Sequence, residues 1–247
     1  MTSACRKNTG PAVERKRTLG AHSECALEVR PDGVQNAVMT QTPSYKSVAE
    51  LLGAPPAPRG AKDRLISTAI DLFYRLGFNA VGVDRILNDS GVGKTTFYKY
   101  FEGKDDLIVA AVERFDQWAT AAWSSAVLRQ AGHDPRAKIV GYFHVLDQWF
   151  HAPDFQGCLF LNVAAEFPNP RDPIHIAGAA HKLRSRETFR DLAIDAGAER
   201  PGELADQLTI LMEGAIVLRQ VCGCDDAAKT AAETVETLLE INLPAAT

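Results

Sequence analysis

The sequence predicts an all-α protein, three short helices followed by a series of longer ones, and three observations carry that reading. From Lys62 onward apolar residues recur three and four positions apart, the spacing of one helical face, with no convincing strand pattern. Helix-opening and helix-closing residues punctuate this pattern. Asp134-Pro135, Asp172-Pro173 and Pro201 open segments, and Gly77, Gly91 and Gly103 close them. Finally, at 247 residues and 46% hydrophobic the chain is long enough to enclose a real core in one or two domains, and it contains no internal repeat.

Residues 1–60 have no sustained periodicity. They hold the basic scrap Arg15-Lys16-Arg17 and end in the Pro-rich run GAPPAPRG, Gly53 to Gly60, which reads as a linker. The expectation is a disordered extension, with room for a short helix at Ser47 to Leu52 and with Met39 as the natural start. The periodic pattern then begins. Leu65, Ala69, Leu72, Phe73 and Leu76 form one stripe that stops at Gly77. Val83, Ile86 and Leu87 mark a second, short helix, which Gly91 is suited to end in the left-handed conformation. A third runs from about Lys94 to Phe101, with Phe97 and Phe101 on its buried side. A long helix follows from Lys104, carrying Leu107, Ala111, Phe115, Trp118 and Ala122.

The remainder is helical throughout. A helix opened by Asp134-Pro135 carries Ile139, Phe143, Leu146 and Phe150. GCLFLNVAAEFP is a short apolar helix ended before Pro168, and Asp172-Pro173 opens another that runs to about Gly197. The segment from Pro201 shows apolar residues on more than one face: Leu204, Leu208, Leu211, Ala215 and Leu218, but also Ile210 and Val217. A helix apolar this far round needs cover on more than one side: either it is central to its own domain or, the favoured reading for a small all-helical domain, it pairs with a second subunit. Asp225 to Leu239 is the last amphipathic helix.

The stretch Ser90 to Phe101, SGVGKTTFYKYF, tests the functional reading. Gly93-Lys94-Thr95 is the closing triplet of a phosphate-binding loop. That loop needs a glycine five residues before Gly93, where this chain has Asn88; it also needs a preceding strand and a long following helix. All three requirements fail, and nucleotide hydrolysis fails with them. Two short helices joined by a glycine-containing turn instead fit a helix-turn-helix, whose last helix projects as a rod suited to the DNA major groove. Its exposed face would carry Thr95, Thr96, Tyr98, Lys99 and Tyr100. Charge agrees in sign: residues 59–104 hold 8 Lys and Arg against 5 Asp and Glu, within a chain of net charge −4.

Lys62 to Trp118 resembles the DNA-binding domain of the tetracycline-repressor (TetR) family of bacterial regulators. The matching marks are A-x-x-L-F-x-x-x-G-F at Ala69 to Phe78, G-V-x-K-x-T-x-Y-x-x-F at Gly91 to Phe101, and Lys104. The resemblance implies a transcriptional regulator, most naturally a repressor, that binds a palindromic double-stranded DNA operator as a homodimer joined through its last two helices. It places Lys94, Thr95, Thr96, Tyr98, Lys99 and Tyr100 on or beside the recognition helix, and Lys104 on a DNA phosphate at the start of the long helix. It divides the chain into an extension (1–60), a helix-turn-helix domain (61–106) and a helical ligand-binding and dimerisation domain (107–247). Gly82 stands where the family usually has a capping Ser or Thr, Leu87 where it has alanine, Gly93 where the turn has Ser, and Tyr100 where the recognition helix has His.

The same resemblance implies a pocket for a small-molecule effector in the body. Candidate lining residues are Trp118, Phe143, Trp149, Asn162, Glu166 and Phe167, with Asn162 and Glu166, four apart on an apolar helix, as the polar anchors. An alternative is a metal- or redox-responsive body. His144, Asp147 and His151 share one helical face, and Cys158 is a candidate thiol. The five scattered cysteines do not form a disulfide framework. No nucleophile–base–orienter set suggests an enzyme, and no resident cofactor is expected. With no apolar run near the ~18 residues of a membrane span and no signal-peptide core, the expectation is a soluble cytoplasmic protein.

Overall fold

The structure, a computed structural model, describes residues 45–244. The expectations for Met39 and for the basic segment near residue 16 lie outside the described residues. The described chain is all-α: α1 (Val48–Leu52), α2 (Ala61–Leu76), α3 (Val83–Ser90), α4 (Lys94–Phe97), α5 (Lys104–Ala131), α6 (Pro135–Phe150), α7 (Leu159–Glu166), α8 (Pro173–Asp195), α9 (Pro201–Cys222) and α10 (Ala227–Asn242).

Helix boundaries fall where the caps put them. The Asp134 carboxylate accepts the Ala137 N–H at 2.7 Å and the Asp172 carboxylate accepts the Ile174 N–H at 2.8 Å, each followed by a first-turn proline. Gly91 ends α3 with φ 63°, a conformation that strains other residues. Gly82, in the family's capping place, makes no side-chain cap.

Helices α2 to α4 and the start of α5 enclose a filled core. Leu65, Ala69, Leu72, Phe73, Phe78, Ile86, Phe97 and Leu107 are each no more than 1% exposed. In the body, α5, α6, α8, α9 and α10 pack against one another, and α7 lies along α8. Contact there is close: a Cβ on Gly178 of α8 would stand 2.7 Å from Val163 of α7, so only glycine lets the two backbones approach this far.

One sequence expectation changes and another is sharpened. The recognition helix, expected to run to Phe101, is regular only over Lys94–Phe97. Beyond that the Lys99 and Tyr100 N–H groups bond carbonyls three residues back, a tighter turn that ends the α-helix. Residues 47–52, where the sequence left room for a short helix within an extension otherwise expected to be disordered, do form one, and it is capped. Ser47 and Glu50 cap each other reciprocally, and Leu51 and Leu52 are buried against the body.

Candidate functional site

The head, formed by α2 to α4 and the start of α5, is organised by what it buries. Phe97 and Phe101 sit four apart with ring centroids 5.6 Å apart, both in the core, and fix which side of the segment points inward. The opposite side exposes Lys94, Thr95, Tyr98, Lys99 and Tyr100, with Thr96 and Lys104 half-buried. Between Gly91 and Phe101 there is no carboxylate. Hydroxyls, phenols and two ammonium groups on one projecting segment suit phosphate oxygens and base edges. The head is braced from behind. Arg64 Nε donates to the Ser90 carbonyl at 3.4 Å, Arg114 of α5 pairs with Asp63 of α2 at 3.1 Å, and the Lys62 ammonium lies 5.7 Å from the Phe101 ring centroid.

Side chains from both directions tie the head to the body. The Glu166 carboxylate, at the last residue of α7, accepts the backbone N–H groups of Phe78 and Asn79 at 2.9 and 2.7 Å. Beside it the Phe167 and Phe78 rings meet edge to face at 5.8 Å. From the other direction, Tyr74 of α2 donates its hydroxyl to the Gly157 carbonyl at 2.6 Å, one residue before the Cys158 that precedes α7. Burial pushes the Tyr74 phenol well above its ordinary range, so it stays a protonated donor.

Inside the body lies a cavity of about 130 Å³. Its wall is largely aromatic, with Tyr74, Phe115, Trp118, Trp123, Trp149 and Phe160 among its lining residues. All three tryptophans of the chain are on this wall. Polar groups enter in two tied sets. The Lys182 ammonium pairs with Glu213 at 2.8 Å and stands 3.5 Å from Cys158 Sγ. Burial pulls the Lys182 ammonium down, but the neighbouring Cys158 and Glu213 outweigh it and hold it above its usual value. In the second set, His181 Nδ1 donates to Asp116 at 2.6 Å, Arg184 also reaches that carboxylate, and the His181 ring stacks on Phe160. Burial raises the Asp116 carboxyl, but hydrogen bonds from His181 and Arg184 prevail and hold it below its ordinary range. The arrangement can take a small, mostly apolar, flat molecule carrying a polar group.

Residues 65–111, which form most of the head and the start of α5, match the family model for bacterial regulatory proteins of the tetR family. The chain is similar to a solved TetR-family transcriptional regulator from Streptomyces coelicolor, SCO4454, at 30% identity and a TM-score of 0.65, covering 74% of this chain and 95% of that one. The chain belongs to the TetR family. Among curated relatives it is 28% identical over 177 residues to the transcriptional regulator AcuR of Cereibacter sphaeroides, covering 65% of this chain and 79% of the relative. It is 30% identical over 107 residues to the transcriptional repressor NemR of Escherichia coli, covering 42% of this chain and 53% of the relative.

Within this TetR-family body, the expected pocket residues separate. Trp118 and Trp149 line the cavity. Phe143 does not: it is fully buried behind the wall, stacked on Phe189 at 6.0 Å. Asn162 faces α9 instead, where its carbonyl accepts from Gln220 Nε2 at 2.9 Å while Gln220 accepts the Cys158 N–H at 2.8 Å. Glu166 and Phe167 are at the head junction, too far along α7 to reach the cavity that its first residues border. The spacing of Asn162 and Glu166 did place both on polar partners, but those partners are protein groups.

His144, Asp147 and His151 do not come together as a metal site, and no group of three or more such ligands exists among the described residues. His151 Nδ1 bonds the Asp147 carbonyl at 2.9 Å, and its ring stacks on Tyr45. The polar cavity residues His181, Lys182 and Glu213, and the buried Asp116 that holds His181, had no part in the sequence expectations. One signal was present: Asp116 sits four after Val112 and three before Ala119, a carboxylate on the buried face of α5.

Proposed function

We propose that this regulator is a repressor that binds a palindromic operator as a homodimer and releases it when a small molecule fills the body cavity. The observation carrying this is the placement of α7. Cys158, at its start, borders the cavity, and Glu166, at its end, grips the backbone of the head loop, so one eight-residue rod touches both. In this reading residues 61–106 act as the DNA-binding domain and 107–247 as the ligand-binding and dimerisation domain. Lys94, Thr95, Thr96, Tyr98, Lys99 and Tyr100 meet the major groove, and Lys104 a phosphate.

Helices α9 and α10 form the dimer contact. The inner face of α9 buries Leu204, Leu208 and Ala215, while Ile210 and Val221 on its outer side are 71% and 76% exposed, an apolar surface that a second copy would cover. Pairing would set the two heads about one helical turn apart on DNA, ~34 Å. The effector can act only through its different affinity for the two head spacings.

Binding to the DNA upstream of the protein's own gene, titrated with salt, tests the reading. Lys104→Ala should weaken binding to all DNA alike and flatten the salt slope, whereas Thr95→Ala should change discrimination among operator variants. Affinity equal to that for random DNA would overturn the proposal. A second reading, a body that answers to thiol oxidation, is favoured by the contact between Cys158 Sγ and Lys182 Nζ. Release of operator by peroxide in the wild type but not in Cys158→Ser would select it.

A further inference from the structure

The part of the chain ahead of the family match supplies something the match does not cover. Val48 and Leu52 of α1 line the body cavity, although both precede the head in sequence. A second hollow, about 360 Å³, opens between the proline run, α2 and α5, with Pro55, Pro56, Ile66 and Ile70 on its walls. The two hollows have Val48, Tyr74, Phe115 and Trp118 in common, so these side chains form the partition between them.

We infer that α1 is a gate: the ligand enters the cavity through the cleft beside the proline run when α1 lifts from the body, and Val48 and Leu52 then close against it. This rests on the reading of the cavity as an effector site and adds the route in, together with two residues that select what fits. The attachment of α1 is suited to the task. A five-residue helix does not persist by itself, because nucleation is unfavourable and few bonds repay it. It is held by contacts that can be given up together. Asp154 accepts the Val48 N–H at 2.8 Å, Arg129 donates to the Leu51 carbonyl at 2.7 Å, Tyr45 stacks on His151 at 4.7 Å, and Leu51 and Leu52 are buried.

Pro55, Pro56 and Pro58 stiffen the eight residues between α1 and the start of α2. Movement of the gate is thereby passed to the first helix of the head rather than absorbed by slack. With Val48 and Leu52 closed against a ligand, α1 rests displaced from its place over the empty cavity and biases α2, which also carries Tyr74 on the cavity wall.

The tryptophans make the gate measurable without DNA or effector, since all three line the cavity. Their emission is to be quenched with succinimide, a neutral probe, in the full chain. Arg129→Ala removes an anchor outside the cavity wall, and with Asp154→Ala added it should raise the quenching slope about two-fold or more, with amide exchange accelerated at residues 48–53. Arg186→Ala, which breaks an exposed pair with Asp206 away from α1, serves as the control and should leave the slope unchanged. An unchanged slope in the double variant despite faster exchange at 48–53, or an equal rise in the Arg186→Ala control, would overturn the gate. Loss of operator response to every small molecule with the quenching result intact would instead strike the effector reading alone.

Discussion

The head and the body are both helical, and they differ in what they do with their interiors. The head fills its core completely. Phe73, Phe78 and Phe97 are each no more than 1% exposed, while Lys94, Thr95, Tyr98, Lys99 and Tyr100 face out. The body keeps a hollow and lines it with aromatic rings and with polar groups neutralised in pairs. A reading head must hold its exposed residues in one geometry, which close packing achieves. A sensing body must have two states of similar free energy, and an unfilled cavity makes a ligand-filled alternative accessible.

The largest test of this contrast is Phe97→Ala. Removing a fully buried ring from a filled core should cost about 3–5 kcal/mol. Operator binding should disappear while tryptophan emission, which comes only from the body, still reports a cooperative unfolding transition near that of the wild type. If the tryptophan transition moves down as far as the helical circular-dichroism signal does, head and body unfold as one unit and the contrast does not hold.

A smaller effect compares the two interiors directly. Ala69 of α2 and Ala119 of α5 are both buried, at 0% and 5% exposed, but Ala119 borders the cavity. Ala69→Leu should overpack the head and cost about 1–3 kcal/mol, whereas Ala119→Leu grows into open space and should cost less than about 1 kcal/mol. Urea midpoints of the two variants give the comparison, and equal losses would mean that the hollow is not available space. Ala119→Leu should also block effector response with operator affinity retained.

The same contrast explains what was legible in the sequence. The head is written in local signals: the stripe from Leu65 to Leu76, Gly91 as a terminator, and Phe97 and Phe101 as buried anchors each act within a few residues of themselves. Helix caps in the body, Asp134 and Asp172, were legible for the same reason. The cavity was not, because its wall is assembled from α1, α2 and α5 through α9, and no local pattern says that Val48 will face Trp118. Glu166 shows the limit clearly. Its position on an apolar helix suggested a polar anchor in the pocket, but the fold gives it the backbone of Phe78 and Asn79, 88 and 87 residues away, as its partner.

The smallest expected effect probes the paired polar groups of the hollow through pH. Burial lowers the His181 imidazolium below its ordinary value, against the opposing hydrogen bond to Asp116, with Lys182 adding to the fall and Glu213 opposing it. In the unfolded chain that ring takes up a proton as pH drops through about 6.5, while in the folded protein it resists until lower pH. The unfolded state therefore binds more protons in that window, so stability is full above about pH 6.5 and declines as pH falls below it. Asp116, whose folded carboxyl is also lowered, adds a loss of the same sign only nearer pH 4, where unfolded carboxyls begin to protonate. His181→Gln keeps a side chain able to donate to Asp116 but removes the titration. Its melting temperature should start slightly below that of the wild type at pH 7.5 and fall less between pH 7 and pH 5. If both proteins lose stability in parallel over that interval, the His181–Asp116 pair is not what senses protons in the body.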